Sequence, residues 1–133
     1  MRTFLAALAL TLAAGAASAN PCGFPEAVRL VVKGYPIGGT AVPAEQRERL
    51  SKFAETAKDR FEICVFAQVD KTGSDAANQR VAEGRAQGVV NYLVNQGVPA
   101  RYIEVAKQEE ALTFFGLLPD NQDDDRRVVV THD

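Results

Sequence analysis

The stretch VDKTGSDAANQRVAEGRAQ, residues 69–87, joins an apolar run to an amphipathic helix and contains three polar residues that we expect to meet. Asp70 directly follows the β-rich run FEICVFAQV, and the residues DKTGSD then supply a turn. Asn78 and Arg85 are seven positions apart, so they lie within about 20° of each other around a helix. The stretch therefore predicts a strand, a turn and a helix that bring a carboxylate, an amide and a guanidinium around one cleft.

The rest of the chain alternates strand-like and helix-like patterns. Apolar β-rich runs predict strands at residues 27–32 and 61–69 and within RYIEVA and RRVVVTH, and helical spacing predicts helices at 43–58, from Ser74 or Asp75 to 96, and around 109–117. This β-α-β-α-β-α-β order favours an α/β two-layer sandwich, with helices packed on a mixed four-stranded sheet through right-handed crossovers.

The two longer helices each show an apolar stripe that should face the sheet. The stripe of the first comprises Leu50, Phe53, Ala54 and Ala57, and that of the second comprises Ala82, Ala86, Val89, Val90, Leu93 and Val94. Gly97 follows the second stripe and suits a helix C-terminus.

The first nineteen residues, MRTFLAALALTLAAGAASA, have the features of a secretory signal peptide: a basic Arg2, an apolar core and small residues before the cleavage point. The apolar core is too short to span a bilayer, which takes about 20 residues. We expect cleavage after Ala19 and release into the periplasm without a stable membrane anchor. Lipid attachment at Cys22 is rejected, because Ala19, Asn20 and Pro21 precede it instead of Leu and small residues.

We expect residues 20–133 to form a single domain with an N-terminal arm at 20–27. Loss of Arg2 leaves 14 basic residues against 17 acidic ones, with no basic stripe. Nucleic acid is therefore excluded as the expected partner.

Cys22 and Cys64 are the only cysteines in the sequence. In an exported protein a cysteine pair favours a disulfide bond over a catalytic thiol. A bridge would stabilise the fold by about 4 kcal/mol in the chain-entropy model and would hold the arm down. The less favoured alternative is a nucleophilic Cys64 with His132, the only histidine, as its base.

The opening stretch resembles the heart of the OmpA-like peptidoglycan-binding domain, whose motif runs T-D-x-x-G and then N-x-x-L-S-x-x-R-A. Residues in register with that motif are Asp70, Gly73, Asn78, Val81, Arg85 and Ala86, and DRRVVV from residue 125 resembles the closing strand of the family. The resemblance implies an OmpA-like domain, periplasmic in a Gram-negative bacterium, that binds peptidoglycan without catalysis and without a cofactor. Asp70 and Arg85 would bind the ammonium and the carboxylate of diaminopimelate in the stem peptide, and Asn78 would add a polar contact.

Departures from the motif keep two alternatives open. Val69, Ala82 and Lys107 stand where the family has threonine, serine and glycine. A degenerate domain would serve as an envelope protein-interaction module without wall binding, and Asp70 and Arg85 would then form a salt bridge that only stabilises the turn. An enzyme is the least favoured class.

Two further motifs favour ordinary loops. GYPIGGT, residues 34–40, has the glycine spacing of a phosphate-binding loop but lacks its lysine. The acidic run DNQDDD from Asp120 lacks the glycine of a calcium-binding EF-hand loop. We expect a turn and a solvated loop, and no metal site.

Overall fold

A mixed sheet forms the centre of the protein. The computed structural model describes residues 20–68, 75–106 and 126–133. In these residues the strands are β1 (Val28–Val32), β2 (Ile63–Gln68), β3 (Ile103–Val105) and β4 (Arg127–His132), in the spatial order β1-β4-β2-β3. Strand β4 pairs antiparallel with β1 and β2, and β3 pairs parallel with β2. The predicted mixed four-stranded sheet is confirmed.

Both faces of this sheet are covered, which explains why every residue of β2 is apolar except its last. One face packs against the helices through Leu30, Val32, Ile63, Val65, Ala67, Val128 and Val130. The other face carries Cys64, Phe66 and Val129. Because side chains alternate between the faces of a strand, the apolar run ICVFA supplies both cores at once.

Helix α1 (Arg47–Ala57) follows a single 3-10 turn at Ala44–Gln46, so the predicted helix from residue 43 begins as a tighter turn. Its buried residues are the four of the predicted stripe: Leu50, Phe53, Ala54 and Ala57.

Helix α2 (Asp75–Asn95) buries Ala82, Ala86, Val89 and Leu93, and Val90 packs at the edge of the same core. Val94, which the predicted stripe included, is 38% exposed. It lies about 100° around the helix from Leu93, beyond the line of contact with the sheet. Gly97 ends the helix with φ of 100°, and the bonds Gly97 N to Val94 O and Val98 N to Leu93 O form a Schellman motif.

The N-terminal arm lies on the sheet face opposite the helices. Cys22 and Cys64 form the predicted disulfide, with their Cα atoms 6.0 Å apart. Asn20 is buried and donates from Nδ2 to Thr131 Oγ1 at 2.8 Å. Phe24 packs against the second core, so the arm shields Phe66 and its neighbours from water.

This disulfide removes the proposed thiol nucleophile. Cys64 is bonded to Cys22 and has no thiol to ionise. His132 Nε2 lies 3.2 Å from Thr56 Oγ1, and its Nδ1 lies 2.7 Å from Asp133 O. The Cys64 and His132 alternative is therefore wrong.

Several predictions concern residues outside the described ranges: the signal peptide, Asp70, the Ser74 cap, the short helix around 109–117 and the acidic run from Asp120. They stay predictions.

Candidate ligand-binding site

Arg85 lies on α2 where that helix meets the loop between β1 and α1. Its side chain is buried, with 1% of the residue exposed. Nε donates to Gly39 O at 2.7 Å, and Nη2 donates to Pro36 O at 2.9 Å. The sequence predicted a guanidinium emerging at the rim of a cleft. Instead, the loop covers it, because main-chain carbonyls that arrive from 46 and 49 positions away take up its donors.

The loop that covers Arg85 is the stretch first considered as a phosphate loop. Gly39 N donates to Pro36 O at 3.0 Å, which closes a four-residue turn. Gly38 has φ of 71°, the left-handed conformation that the third position of a type II turn requires. The prediction that GYPIGGT forms a turn is confirmed. Two main-chain carbonyls of this turn accept hydrogen bonds from the Arg85 guanidinium.

Two glycines on α2 allow this close approach. A Cβ on Gly84 would lie 2.9 Å from Thr40 Cγ2, and a Cβ on Gly88 would lie 3.3 Å from Thr40 O. Glycine inside a helix lowers the stability of the helix by about 1 kcal/mol relative to alanine. The two glycines are explained by the space that they leave for Thr40. The pair spaced by four residues beside Arg85 was a sequence signal that another segment packs there, and the sequence reading missed it.

Tyr35 forms the aromatic side of this site, and the sequence did not single it out. The Arg85 Cζ atom lies 4.8 Å from the centre of the Tyr35 ring, a cation–π contact. Tyr35 is 2% exposed, and its hydroxyl has no hydrogen-bond partner among the described residues. Burial raises the pKa of Tyr35 to about 12, and the Arg85 charge opposes that rise. The phenol therefore keeps its proton at neutral pH.

A groove open to solvent runs beside Tyr35. Its lining includes the cations Lys33 and Arg126, together with Glu45. Arg126 donates from Nε to Tyr35 O at 3.1 Å, which fixes the start of the loop to the start of β4. Within the described part of the chain, the lining of this groove thus carries more positive than negative charge, which suits an anionic group.

Of the other two predicted site residues, Asn78 lies within the described part of the chain and Asp70 does not. Asn78 is half-buried on α2, on the face that Arg85 shares, about 10 Å earlier along the helix axis. Asp70 lies outside the described residues, but β2 ends two positions before it and α2 begins five positions after it. The structure thus positions the elements on either side of Asp70 and leaves its contacts a prediction.

Neither a metal centre nor a membrane span is found in the described ranges. Residues 20–68, 75–106 and 126–133 contain no group of three or more His, Cys, Asp or Glu side chains that could hold a metal ion. Within the same residues, no helix has the length and hydropathy needed to cross a bilayer.

Comparison with known proteins gives one consistent family. The OmpA family model matches residues 35–123. Outer membrane protein A of Shimwellia blattae is 44% identical over 59 residues, which are 44% of this chain and 24% of that protein. This chain thus aligns with about a quarter of that relative.

Solved structures agree on the fold. The peptidoglycan-associated lipoprotein of Burkholderia pseudomallei superposes with a TM-score of 0.62 at 19% identity, covering 77% of this chain and 89% of that one. The C-terminal domain of Helicobacter pylori MotB gives 0.63 at 16% identity, covering 78% and 84%. Together with the sheet order and the matched residues, these similarities show that the chain belongs to the OmpA family.

Proposed function

We propose that this protein binds peptidoglycan in the periplasm, without catalysis, through the diaminopimelate of the stem peptide. Membership of the OmpA family supports this function, as does the likeness to a protein named a peptidoglycan-associated lipoprotein. The observation that carries it is the Arg85 guanidinium, fixed at the family-motif position between a polar loop and an aromatic ring.

The chemistry of the ligand complements the proposed site. Diaminopimelate presents an ammonium beside a carboxylate, and the site offers Asp70 for the first and Arg85 for the second. Arg85 donates to the carbonyls of Pro36 and Gly39. A guanidinium and a carboxylate pair through two parallel, charge-assisted hydrogen bonds, which neutral carbonyls do not match.

The expected affinity for a single stem peptide is modest. Each hydrogen bond to a charged group contributes about 1.5 to 3 kcal/mol, and ordering of the ligand and the loop offsets part of that. Many stem peptides lie along one wall, so rebinding would hold the protein there despite weak single contacts.

Ligand access requires movement of the loop, because Arg85 is 1% exposed. Gly34 and Gly38 both have positive φ, at 91° and 71°, and lie on either side of Pro36. Glycine crosses between backbone regions more readily than other residues, so these two positions would serve as hinges. We expect the Pro36–Gly39 turn to shift when diaminopimelate binds.

Co-sedimentation with purified sacculi tests the function. Asp70→Asn removes a charge with little change of shape, and Arg85→Lys keeps the charge but loses the planar fork. Each should raise the dissociation constant for sacculi about tenfold, while the circular dichroism spectrum stays that of the parent. Arg101→Lys is the matched control, because Arg101 is exposed and stacks on Tyr102 instead.

The second candidate is an envelope protein-interaction module. It is favoured by the burial of Arg85 under the Pro36–Gly39 turn, which a purely structural role also explains. A parent protein that stays in the supernatant would support this candidate. If Asp70→Asn and Arg85→Lys lower stability yet sediment like the parent, both residues are structural.

A further inference from the structure

Among the residues that the structure describes, one buried hydroxyl lacks an acceptor. Tyr35 is 2% exposed, and its Oη atom has no hydrogen-bond partner among the described residues. The other two tyrosines differ: Tyr92 Oη bonds Ser51 Oγ at 2.9 Å and Arg47 O at 3.1 Å, and Tyr102 Oη accepts from Arg101. A buried donor without a partner costs free energy, so its presence needs an explanation.

The position of Tyr35 supplies that explanation. Its ring lies 4.8 Å from the Arg85 Cζ atom, and the next residue, Pro36, accepts a hydrogen bond from the same guanidinium. The chain thus holds the phenol beside the guanidinium, so a ligand that reaches Arg85 when the Pro36–Gly39 turn shifts would also meet the Tyr35 hydroxyl. The groove with Lys33 and Arg126 in its lining reaches Tyr35 and would attract an anion.

We propose that the Tyr35 hydroxyl is a second donor to the ligand carboxylate held by Arg85, and that this pair selects a carboxylate over a carboxamide. The proposal rests on the proposed function of Arg85. A carboxylate accepts hydrogen bonds at both oxygens, so one oxygen can bind the guanidinium while the other accepts from the phenol. A carboxamide must turn its N–H₂ group toward one of these two donors, and that mismatch is the source of the selection.

The protonation state of the phenol agrees with this role. A pKa of about 12 keeps Tyr35 neutral and able to donate throughout the physiological range. A phenolate there would instead repel the carboxylate.

The test uses Tyr35→Phe, which removes the hydroxyl and keeps the ring. Titration calorimetry would measure binding of two muropeptides, one with free diaminopimelate and one with its carboxyl group amidated. We expect Tyr35→Phe to weaken binding of the free acid about tenfold and binding of the amide less, so that the preference for the acid becomes smaller. Its urea midpoint should not fall, because no internal hydrogen bond is lost.

Tyr92→Phe is the matched control. It removes a hydroxyl that bonds Ser51 and Arg47, so its urea midpoint should fall while both muropeptides bind as they do to the parent. Tyr35→Phe should therefore lower affinity without lowering stability, and Tyr92→Phe should lower stability without lowering affinity.

Three results would overturn the inference. If Tyr35→Phe binds both muropeptides like the parent while Arg85→Lys binds the acid weakly, the hydroxyl is no ligand contact and the proposed function stands. If Tyr35→Phe weakens acid and amide equally, the hydroxyl does not select between them. If the parent binds neither muropeptide, the proposed function and this inference fail together.

Discussion

Arg85 Nε donates to Gly39 O at 2.7 Å and so fastens helix α2 to the turn that follows β1. The contact spans 46 positions in the sequence. The proposed site is therefore built from two elements, helix α2 and the loop after β1. The strength of this hydrogen bond depends on how closely the loop approaches the helix.

The close approach of the loop predicts that Gly84→Ala destabilises the protein, although a change from glycine to alanine inside a helix usually stabilises it. Gly84→Ala would place a Cβ 2.9 Å from Thr40 Cγ2, so we expect it to lower the free energy of unfolding by about 1 kcal/mol despite better helix propensity. In a Thr40→Ala background the clashing methyl group is gone and only Thr40 Cβ stays close, at 3.3 Å, so the same change should cost less. Urea midpoints of the four proteins measure both effects, and equal effects in the two backgrounds would contradict the packing described here.

The buried stripe of α2 predicts unequal costs at two adjacent residues. Leu93 is fully buried, so Leu93→Ala should cost about 2 to 5 kcal/mol. Val94 is 38% exposed and serves as the control, because Val94→Ala should change stability by only about 0.5 kcal/mol. A denaturant midpoint insensitive to Leu93→Ala would mean that the helix packs through another face.

The disulfide predicts that the unreduced protein has no free thiols. Titration of thiols in unfolded, unreduced protein should find none, since Cys22 and Cys64 are bonded. Reduction should lower the free energy of unfolding by about 2 to 5 kcal/mol, because it releases the arm that covers the second core. Two reactive thiols per chain in the unreduced sample would refute the bond.

The raised pKa of Tyr35 predicts a loss of stability at high pH. An unfolded tyrosine ionises near pH 10, whereas the folded Tyr35 ionises at about 12, so protons leave the unfolded state first. The contribution is fully present below pH 10 and is lost as the pH rises to 12, amounting to roughly 2 to 3 kcal/mol.

Comparison of the parent with Tyr35→Phe isolates this contribution from other groups that titrate in the same range. The variant should show a shallower fall in the free energy of unfolding between pH 10 and 12, and Tyr92→Phe should keep the slope of the parent. A slope unchanged in Tyr35→Phe would show that the phenol ionises normally in the fold.

Local pattern in the sequence determined most of the secondary structure. The β-rich runs became β1, β2 and β4, the stripe from Leu50 to Ala57 became the buried face of α1, and Gly97 ended α2 through its positive φ. The predicted export and a cysteine count of two were enough to predict the bond between Cys22 and Cys64. Each of these features depends on a few neighbouring residues or on a single pairing, so the sequence alone could predict it.

Only the tertiary structure decided how the site is covered. Helical spacing placed Asn78 and Arg85 on one face, but it could not reveal that a turn from the β1 side would bury the guanidinium, or that Tyr35 would lie beneath it. It also could not show that Val94 would fall outside the contact with the sheet. Periodicity states which residues share a face. What covers that face depends on backbone approach between distant segments, which is set here by the space that Gly84 and Gly88 leave for Thr40.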